Sequence, residues 1–213
     1  MFDQLFFTVL YTLLLLLPLY IIASLFAVKR KRHALASAQV KTMIVIGSGG
    51  HTSEMLRTVK HLNSQRFTPR FYIMADSDTS SLCKIVETET ALKGSHRIWR
   101  IPRSRKVHQS YISSVFTTLY SFLYSIPIVI WNRPDVILCN GPGTCVPICV
   151  IGFLTKIFLF CNVRIIFIES ICRVKSLSLT GKILIWFADL VIVQWPELKR
   201  LYKNTVYIDE VKL

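Results

Sequence analysis

A chain of 213 residues with 52% apolar side chains is long enough for one α/β domain and an apolar segment besides. Lysine and arginine outnumber the acids 26 to 12, a net charge of +14 that favours anionic partners. Nucleic acid is the poorest fit among these, since no zinc-finger spacing, basic-region heptad or RNA-binding consensus occurs.

The first element is an apolar run. No charge occurs between Asp3 and Lys29, so residues 4–28 are long enough to cross a bilayer, which takes about 20 apolar residues. Pro18 is tolerated in such a helix. Lys29-Arg30-Lys31-Arg32 follows, and the positive-inside rule puts this cluster in the cytosol. A cleaved signal peptide is the alternative, with Ala34-Leu35-Ala36 as a faint cleavage site. The long run and a basic cluster that follows it weigh against cleavage. The expected divisions are residues 1–28 as anchor, 29–40 as basic juxtamembrane linker and 41–213 as a Rossmann-like domain.

From Thr42 onward, strand and helix patterns alternate, the mark of a parallel sheet. Strands are predicted at 43–46, 70–75, 96–101, 136–139, 163–168 and 190–193, with a short last strand at 206–208. Helices are predicted at 52–62 and 80–91. Two further apolar runs, 115–131 and 145–161, resemble membrane spans in composition. Each precedes a strand that the sheet needs, so both are assigned to helices of the body. An apolar helix lying at the lipid interface stays open as a middle reading. The six cysteines include no CxxC pair, and most lie in apolar stretches, where free buried thiols are expected. No N-x-S/T sequon occurs, in keeping with a reducing, cytosolic compartment.

The chemistry gathers where strands end. The first strand runs into Gly47-Ser48-Gly49-Gly50-His51-Thr52-Ser53-Glu54. Glycines there permit a tight turn, and the following helix offers free N–H groups and a positive dipole end, a cradle for a diphosphate. Thr52 and Ser53 are expected N-caps, and Glu54 suits the first turn. A tight turn without ligand is the plain alternative. Thr52 stands where the dinucleotide fingerprint has its third glycine, which argues against NAD or FAD despite Asp76 at the end of the second strand. A second loop, Asn140-Gly141-Pro142-Gly143-Thr144, leaves the fourth strand. Glu169-Ser170 leaves the fifth, with Arg173 close behind, and Arg103-Ser104-Arg105-Lys106 leaves the third. All fall on the carboxyl edge, where open α/β sheets bind ligands. Arginines there suit a diphosphate at a lipid surface, although a solvated charge is the simpler reading of each. Histidine as a residue type titrates near neutral pH, so His51 suits proton removal from a sugar hydroxyl.

Five blocks in order carry a resemblance: GSGGHTSEM (47–55), IPRSR (101–105), NGPGTCVPI (140–148), ESICRV (169–174) and VQWPELK (193–199). Together they resemble the asparagine-linked glycosylation protein fourteen family, the membrane subunit of the eukaryotic dolichyl-diphosphate N-acetylglucosamine transferase. The first loop is also similar to the G-G-x-G-G-H loop of MurG, the bacterial peptidoglycan transferase. Lys106 and Tyr111 depart from the family pattern.

The resemblance implies an α/β fold: the N-terminal, acceptor-side half of a GT-B glycosyltransferase, with one N-terminal transmembrane helix. A separate soluble chain would bind the UDP-sugar. The pair would add the second N-acetylglucosamine to GlcNAc-diphosphodolichol on the cytosolic face of the endoplasmic reticulum, with inversion and without metal or cofactor. On this reading Gly47, Ser48, Gly49, Gly50, Thr52, Arg103, Arg105, Asn140, Gly141, Gly143 and Arg173 hold the acceptor diphosphate, and His51 or Glu169 is the base. The apolar and polar alternation from Val206 to Leu213 is where the partner is expected to dock. A membrane recruiter without chemistry and a nucleotide-binding oxidoreductase are the competing readings.

Overall fold

A computed structural model of the chain describes residues 39–104, 109–141, 143–159 and 161–211. The expected anchor at 1–28, most of the linker and Arg105 lie outside these residues. The seven strands are β1 (Thr42–Val45), β2 (Arg70–Ala75), β3 (His96–Ile101), β4 (Val136–Asn140), β5 (Arg164–Ile168), β6 (Leu190–Val193) and β7 (Val206–Tyr207). They form one sheet in the order β3-β2-β1-β4-β5-β6-β7, with every pairing parallel. The order reverses between β1 and β4, and in doubly wound sheets that switch point opens the ligand crevice.

The period-two alternation of β1 builds two cores. Met43 and Val45 join one buried cluster, Ile44 and Ile46 the other. Helices α1 (Gly50–His61) and α2 (Thr79–Thr90) pack together over the second. Helices α3 (Tyr111–Asn132), α4 (Cys145–Phe158) and α5 (Leu179–Leu184) form the opposite layer, α3 against α4 and α4 against α5. A short α6 (Pro196–Leu201) follows β6, and a 3₁₀ turn (Ile208–Glu210) follows β7.

Several boundaries differ from the sequence reading. Helix α1 begins two residues earlier than predicted, with Gly49 as N-cap at φ 64° and no side-chain cap bond. Thr52 and Ser53 therefore do not cap it. Thr52 turns inward instead, as described below. The run at 115–131 lies within α3, the crossover between β3 and β4, with Arg133 closing it at φ 43°. It is long and apolar enough to cross a membrane, with only 28% of its apolar stretch buried. Since both strands it joins belong to one sheet and it packs on α4, it is a helix of the body. The short α5 and α6 escape the sequence reading because six residues carry too little periodicity to identify a helix. The cysteine expectation holds for Cys139, Cys145 and Cys149, which are buried; Cys83 and Cys172 are exposed, and all are free. Burial pushes the Cys139 and Cys145 thiols up, and contact with Cys139 together with burial raises Cys149, so these three are inert thiols.

The amino edge of the sheet holds a buried ion pair. Arg70 is 1% exposed and donates from Nε and Nη2 to the two carboxylate oxygens of Glu89 at 2.7 and 2.6 Å. Its remaining donors reach the carbonyls of Ser64, Phe67 and Lys93, and Tyr72 donates to Glu89. Burial pushes the Glu89 carboxyl up, but hydrogen bonds from Arg70 and Tyr72 and the Arg70 charge outweigh it, and the group sits below its ordinary value. This fastens α2 to β2 far from the glycine loops.

Candidate active site

The carboxyl edge is braced before it is open. The Gly47 carbonyl accepts from Thr52 Oγ1 at 2.6 Å, and Ser81 Oγ lies 2.6 Å from Thr52 Oγ1 and 3.3 Å from that carbonyl. Ser81 in turn donates to Asp78, the N-cap of α2, at 2.6 Å. Burial pushes the Asp78 carboxyl up, yet bonds from Ser81 and Ser80 and the nearby Arg103 charge bring it below its ordinary value. This network fixes the first glycine loop at its base. Thr52, fully buried, spends its hydroxyl here and does not face the crevice. Above the base, Ser48, Gly49 and Gly50 are exposed, and a methyl added at Gly49 or Gly50 would meet nothing within 4 Å. Arg103 donates from Nη2 to Ser48 Oγ at 3.2 Å, which brings the block after β3 to the loop.

The second glycine loop meets the first through His51. Gly141 has φ +66°, and a Cβ there would lie 2.3 Å from His51 Cε1 and 2.4 Å from Nδ1. Glycine is thus needed twice, for the left-handed turn and for the room the imidazole occupies. Asn140 donates from Nδ2 to the His51 carbonyl at 3.3 Å and to Glu54 Oε2 at 3.2 Å. Glu54 Oε1 accepts from Ser170 Oγ at 3.0 Å. Glu54 therefore links the carboxyl ends of β1, β4 and β5, a role its sequence position as an ordinary helical acid does not reveal. His51 Nδ1 is buried without a hydrogen bond, 3.7 Å from Glu54 Oε2, while the side chain keeps 36% of its surface.

Glu169 differs from the sequence expectation of a free base. It is fully buried and accepts from Ser178 N at 2.8 Å, Ser178 Oγ at 3.0 Å and Ser170 N at 3.2 Å. Ser178 caps α5, and a Cβ at Gly181 would lie 2.5 Å from Glu169 Oε2. The carboxylate holds α5 against β5 and presents no open face. The last motif block has a related use: Gln194 donates to the Glu169 carbonyl at 2.8 Å, and Trp195 Nε1 to the Ile171 carbonyl at 2.7 Å. These two clamp the loop that presents Arg173, which is exposed.

A cleft of about 850 Å³ opens at this edge. Its polar end includes Gly47, Ser48, Arg103, Gly141, Gly143 and Arg173, with the acid Asp78 among them. Its apolar walls come from α3 (Val115, Leu119, Phe122), α4 (Val146, Val150) and α5 (Leu179, Ile183). His51 adjoins the polar end across Gly141 and lies outside the lining. Of the sequence-selected residues, six line the cleft, Gly49, Gly50, His51 and Asn140 stand beside it, and Thr52 and Glu169 brace it from within.

Sheet order, paired glycine loops and a crevice at the switch point define one Rossmann-like half of the GT-B fold. In agreement, the fold is similar to that of MurG from Acinetobacter baumannii, with a TM-score of 0.52 at 14% identity, over 74% of this chain and 43% of that one. The family described as "Oligosaccharide biosynthesis protein Alg14 like" matches residues 42–211, and the chain belongs to it. The protein named UDP-N-acetylglucosamine transferase subunit ALG14 in Rattus norvegicus is 47% identical over 203 residues, covering 92% of this chain and 94% of its own. The proteins of the same name in Homo sapiens and Schizosaccharomyces pombe are 43% and 44% identical, covering 90% and 88% of this chain and 92% and 93% of their own. Relatives so named and a glycosyltransferase-like fold make this a transferase-subunit family.

Proposed function

We propose that this chain is the membrane-anchoring, acceptor-side subunit of a two-chain N-acetylglucosaminyltransferase. It adds the second N-acetylglucosamine to GlcNAc-diphosphodolichol, on the cytosolic face of the endoplasmic reticulum. Residues 1–28 anchor it in a single pass, 29–40 form the basic linker and 41–213 form the acceptor domain. A soluble UDP-GlcNAc-binding chain completes the GT-B cleft from the side of the carboxyl edge.

The observation that carries this reading is the cleft with one polar and one apolar end. The acceptor has the same order: polyprenyl chain, diphosphate, sugar. Apolar walls from α3, α4 and α5 take the first part of the chain. Free N–H groups of the two glycine loops, with Arg103, Arg105 and Arg173, take the diphosphate. The sugar then emerges past Gly141, where His51 stands. A base for the sugar hydroxyl belongs beside this pocket and not within it.

The proton transfer follows from the geometry around His51. A proton on Nδ1, directed at the Glu54 carboxylate, leaves Nε2 as the lone pair that removes the proton from the attacking hydroxyl. Glu54 then stabilises the imidazolium and fixes the tautomer, as a positioning residue. The freed oxygen attacks the anomeric carbon of UDP-GlcNAc, the bond to UDP breaks, and the configuration inverts.

The decisive experiment measures GlcNAc transfer to a polyprenyl-diphosphate-GlcNAc acceptor with the chain alone, with the soluble subunit alone and with both. Transfer is expected only with both, and His51→Ala in the pair is expected to reduce it by about 10²–10⁴-fold. Full transfer with His51→Ala would remove the histidine from the mechanism. Full transfer by the soluble subunit alone would reduce this chain to a recruiter.

A further inference from the structure

The two faces of the sheet differ in what they show to water. On α1 and α2 the one exposed large hydrophobic side chain is Val86. On the opposite layer α3 exposes Phe116, Tyr120, Leu123, Tyr124 and Trp131, the last 78% exposed. Trp186 just past α5 continues the surface at 87%. A contiguous apolar layer of this kind is not left bare in water. Exposed tryptophan and tyrosine on this face suit the boundary between lipid and headgroups.

Three observations select a bilayer as its cover. Helices α3, α4 and α5 contain no Asp or Glu, while Lys182 on α5 and Arg173 and Lys175 just before it are basic, as acidic headgroups require. The linker at 29–40 spans at most about 40 Å when extended, so an anchor at 1–28 keeps the body within reach of the surface. The third is continuity: Val115 and Leu119 of α3 and Leu179 and Ile183 of α5 both line the cleft and belong to the exposed apolar surface.

We infer that the α3–α4–α5 face seats in the interfacial layer of the bilayer, so that the cleft opens into lipid and an acceptor chain reaches the glycine loops without crossing water. The last clause rests on the acceptor reading above; the seating does not. A helix of 22 residues, about 33 Å long, lies along the surface and does not cross it.

The test uses the full chain in phosphatidylcholine–phosphatidylserine vesicles, with Cys83, Cys161 and Cys172 replaced by serine. One cysteine is then introduced and labelled with an environment-sensitive fluorophore: Phe116→Cys, Tyr120→Cys or Leu123→Cys on α3, or Val86→Cys on α2. The α3 probes are expected to be shielded from aqueous iodide and quenched by doxyl-labelled lipid, and the Val86 probe to behave in the opposite way. Iodide access on α3 equal to that at Val86 overturns the seating. So does shielding without lipid quenching, which would mean that a protein partner or the chain's own N-terminal segment covers the face.

A second arm compares Tyr120→Glu/Leu123→Glu, neither of which lines the cleft, on two acceptors. With an unchanged melting temperature, transfer to a bilayer-embedded long-chain acceptor is expected to fall at least about tenfold, while transfer to a water-soluble short-chain acceptor holds. Equal loss with both overturns the lipid route. Since the probe arm contains no substrate, a failure of the acceptor reading leaves its result standing.

Discussion

Replacing Gly141 with alanine tests the site at its tightest point. The backbone at φ +66° costs an L-residue about 1–2 kcal/mol. The new Cβ would lie 2.3 Å from His51 Cε1, where ordinary contact begins at 3.4 Å. The imidazole must therefore withdraw by about 1 Å, a displacement that commonly costs about 10²-fold in rate when it misplaces a reacting group. Gly141→Ala is thus expected to lower the melting temperature by several degrees, about 2–8 °C. It should cut transfer by about 10²-fold with the soluble subunit saturating. A double-mutant cycle separates this from a general disturbance of the loop. If Gly141 acts by making room for the ring, Gly141→Ala adds almost nothing to the loss of transfer once His51 is alanine, and the smaller side chain restores the stability lost to the clash but not that lost to the backbone. Steady-state transfer and thermal melts of the four proteins decide it. Multiplicative losses, or full activity in Gly141→Ala, would falsify the coupling.

Other expectations follow from the same structure. Glu169→Gln is expected to destabilise the body by about 1–3 kcal/mol through its lost bonds to Ser178 and Ser170, with transfer per folded molecule largely kept; a loss of about 10²–10⁴-fold without unfolding would restore it as the base. Glu89→Gln breaks a buried ion pair and is expected to cost about 3–5 kcal/mol near neutral pH, read in chemical denaturation. Because the folded Glu89 carboxyl sits below its ordinary value, its contribution is present above the ordinary glutamate range and disappears as pH falls through the lower folded value. The variant should therefore show a flatter loss of stability on acidification than the wild type. Removing residues 208–213 leaves β7 paired with β6 and is expected to abolish recruitment of the soluble subunit to membranes while the body stays folded; undiminished co-sedimentation would place the interface elsewhere.

The sheet was readable because short apolar or β-prone runs alternate with helical patterns, most of them ending at a glycine or polar cluster. Gly47, Gly49, Asn140 and Gly141 were readable as a site because a parallel sheet sends every such cluster to one edge. What that edge does with each side chain was not readable. Glu169 looked like a free carboxylate because its partner, Ser178, lies nine residues downstream as the cap of a helix too short to announce itself. Thr52 looked like a phosphate ligand because Ser81, which helps hold it, belongs to a different helix. Glu54 looked like an ordinary first-turn acid because its partners Asn140 and Ser170 are 86 and 116 residues away. Non-local hydrogen bonds decide whether a polar group is structural or available, and no local pattern encodes them. The apolar run at 115–131 shows the same limit: composition marks it as lipid-compatible, and only the crossover between β3 and β4 makes it a helix of the body.

Glu54 poses a conflict that can be measured. A carboxylate beside a diphosphate site repels its ligand, and at about 4 Å two unit charges near a protein surface interact with about 4 kcal/mol. That penalty opposes the attraction of Arg103 and Arg173, so on affinity alone a neutral residue would serve better. The carboxylate does three other things: it accepts from Asn140, accepts from Ser170 and faces Nδ1 of His51. Glutamine keeps the shape and one acceptor oxygen but loses the charge. Glu54→Gln is therefore expected to bind the acceptor more tightly and turn it over more slowly, with KM falling and kcat falling by about tenfold or more as the imidazolium loses its counter-charge. Acceptor-dependence curves at saturating UDP-GlcNAc and soluble subunit measure both constants. Glu54→Asp keeps the charge and shortens the reach, so its KM should stay near that of the wild type while kcat drops. A rise in KM for Glu54→Gln with kcat unchanged would mean that Glu54 organises the binding loops and does not act on His51.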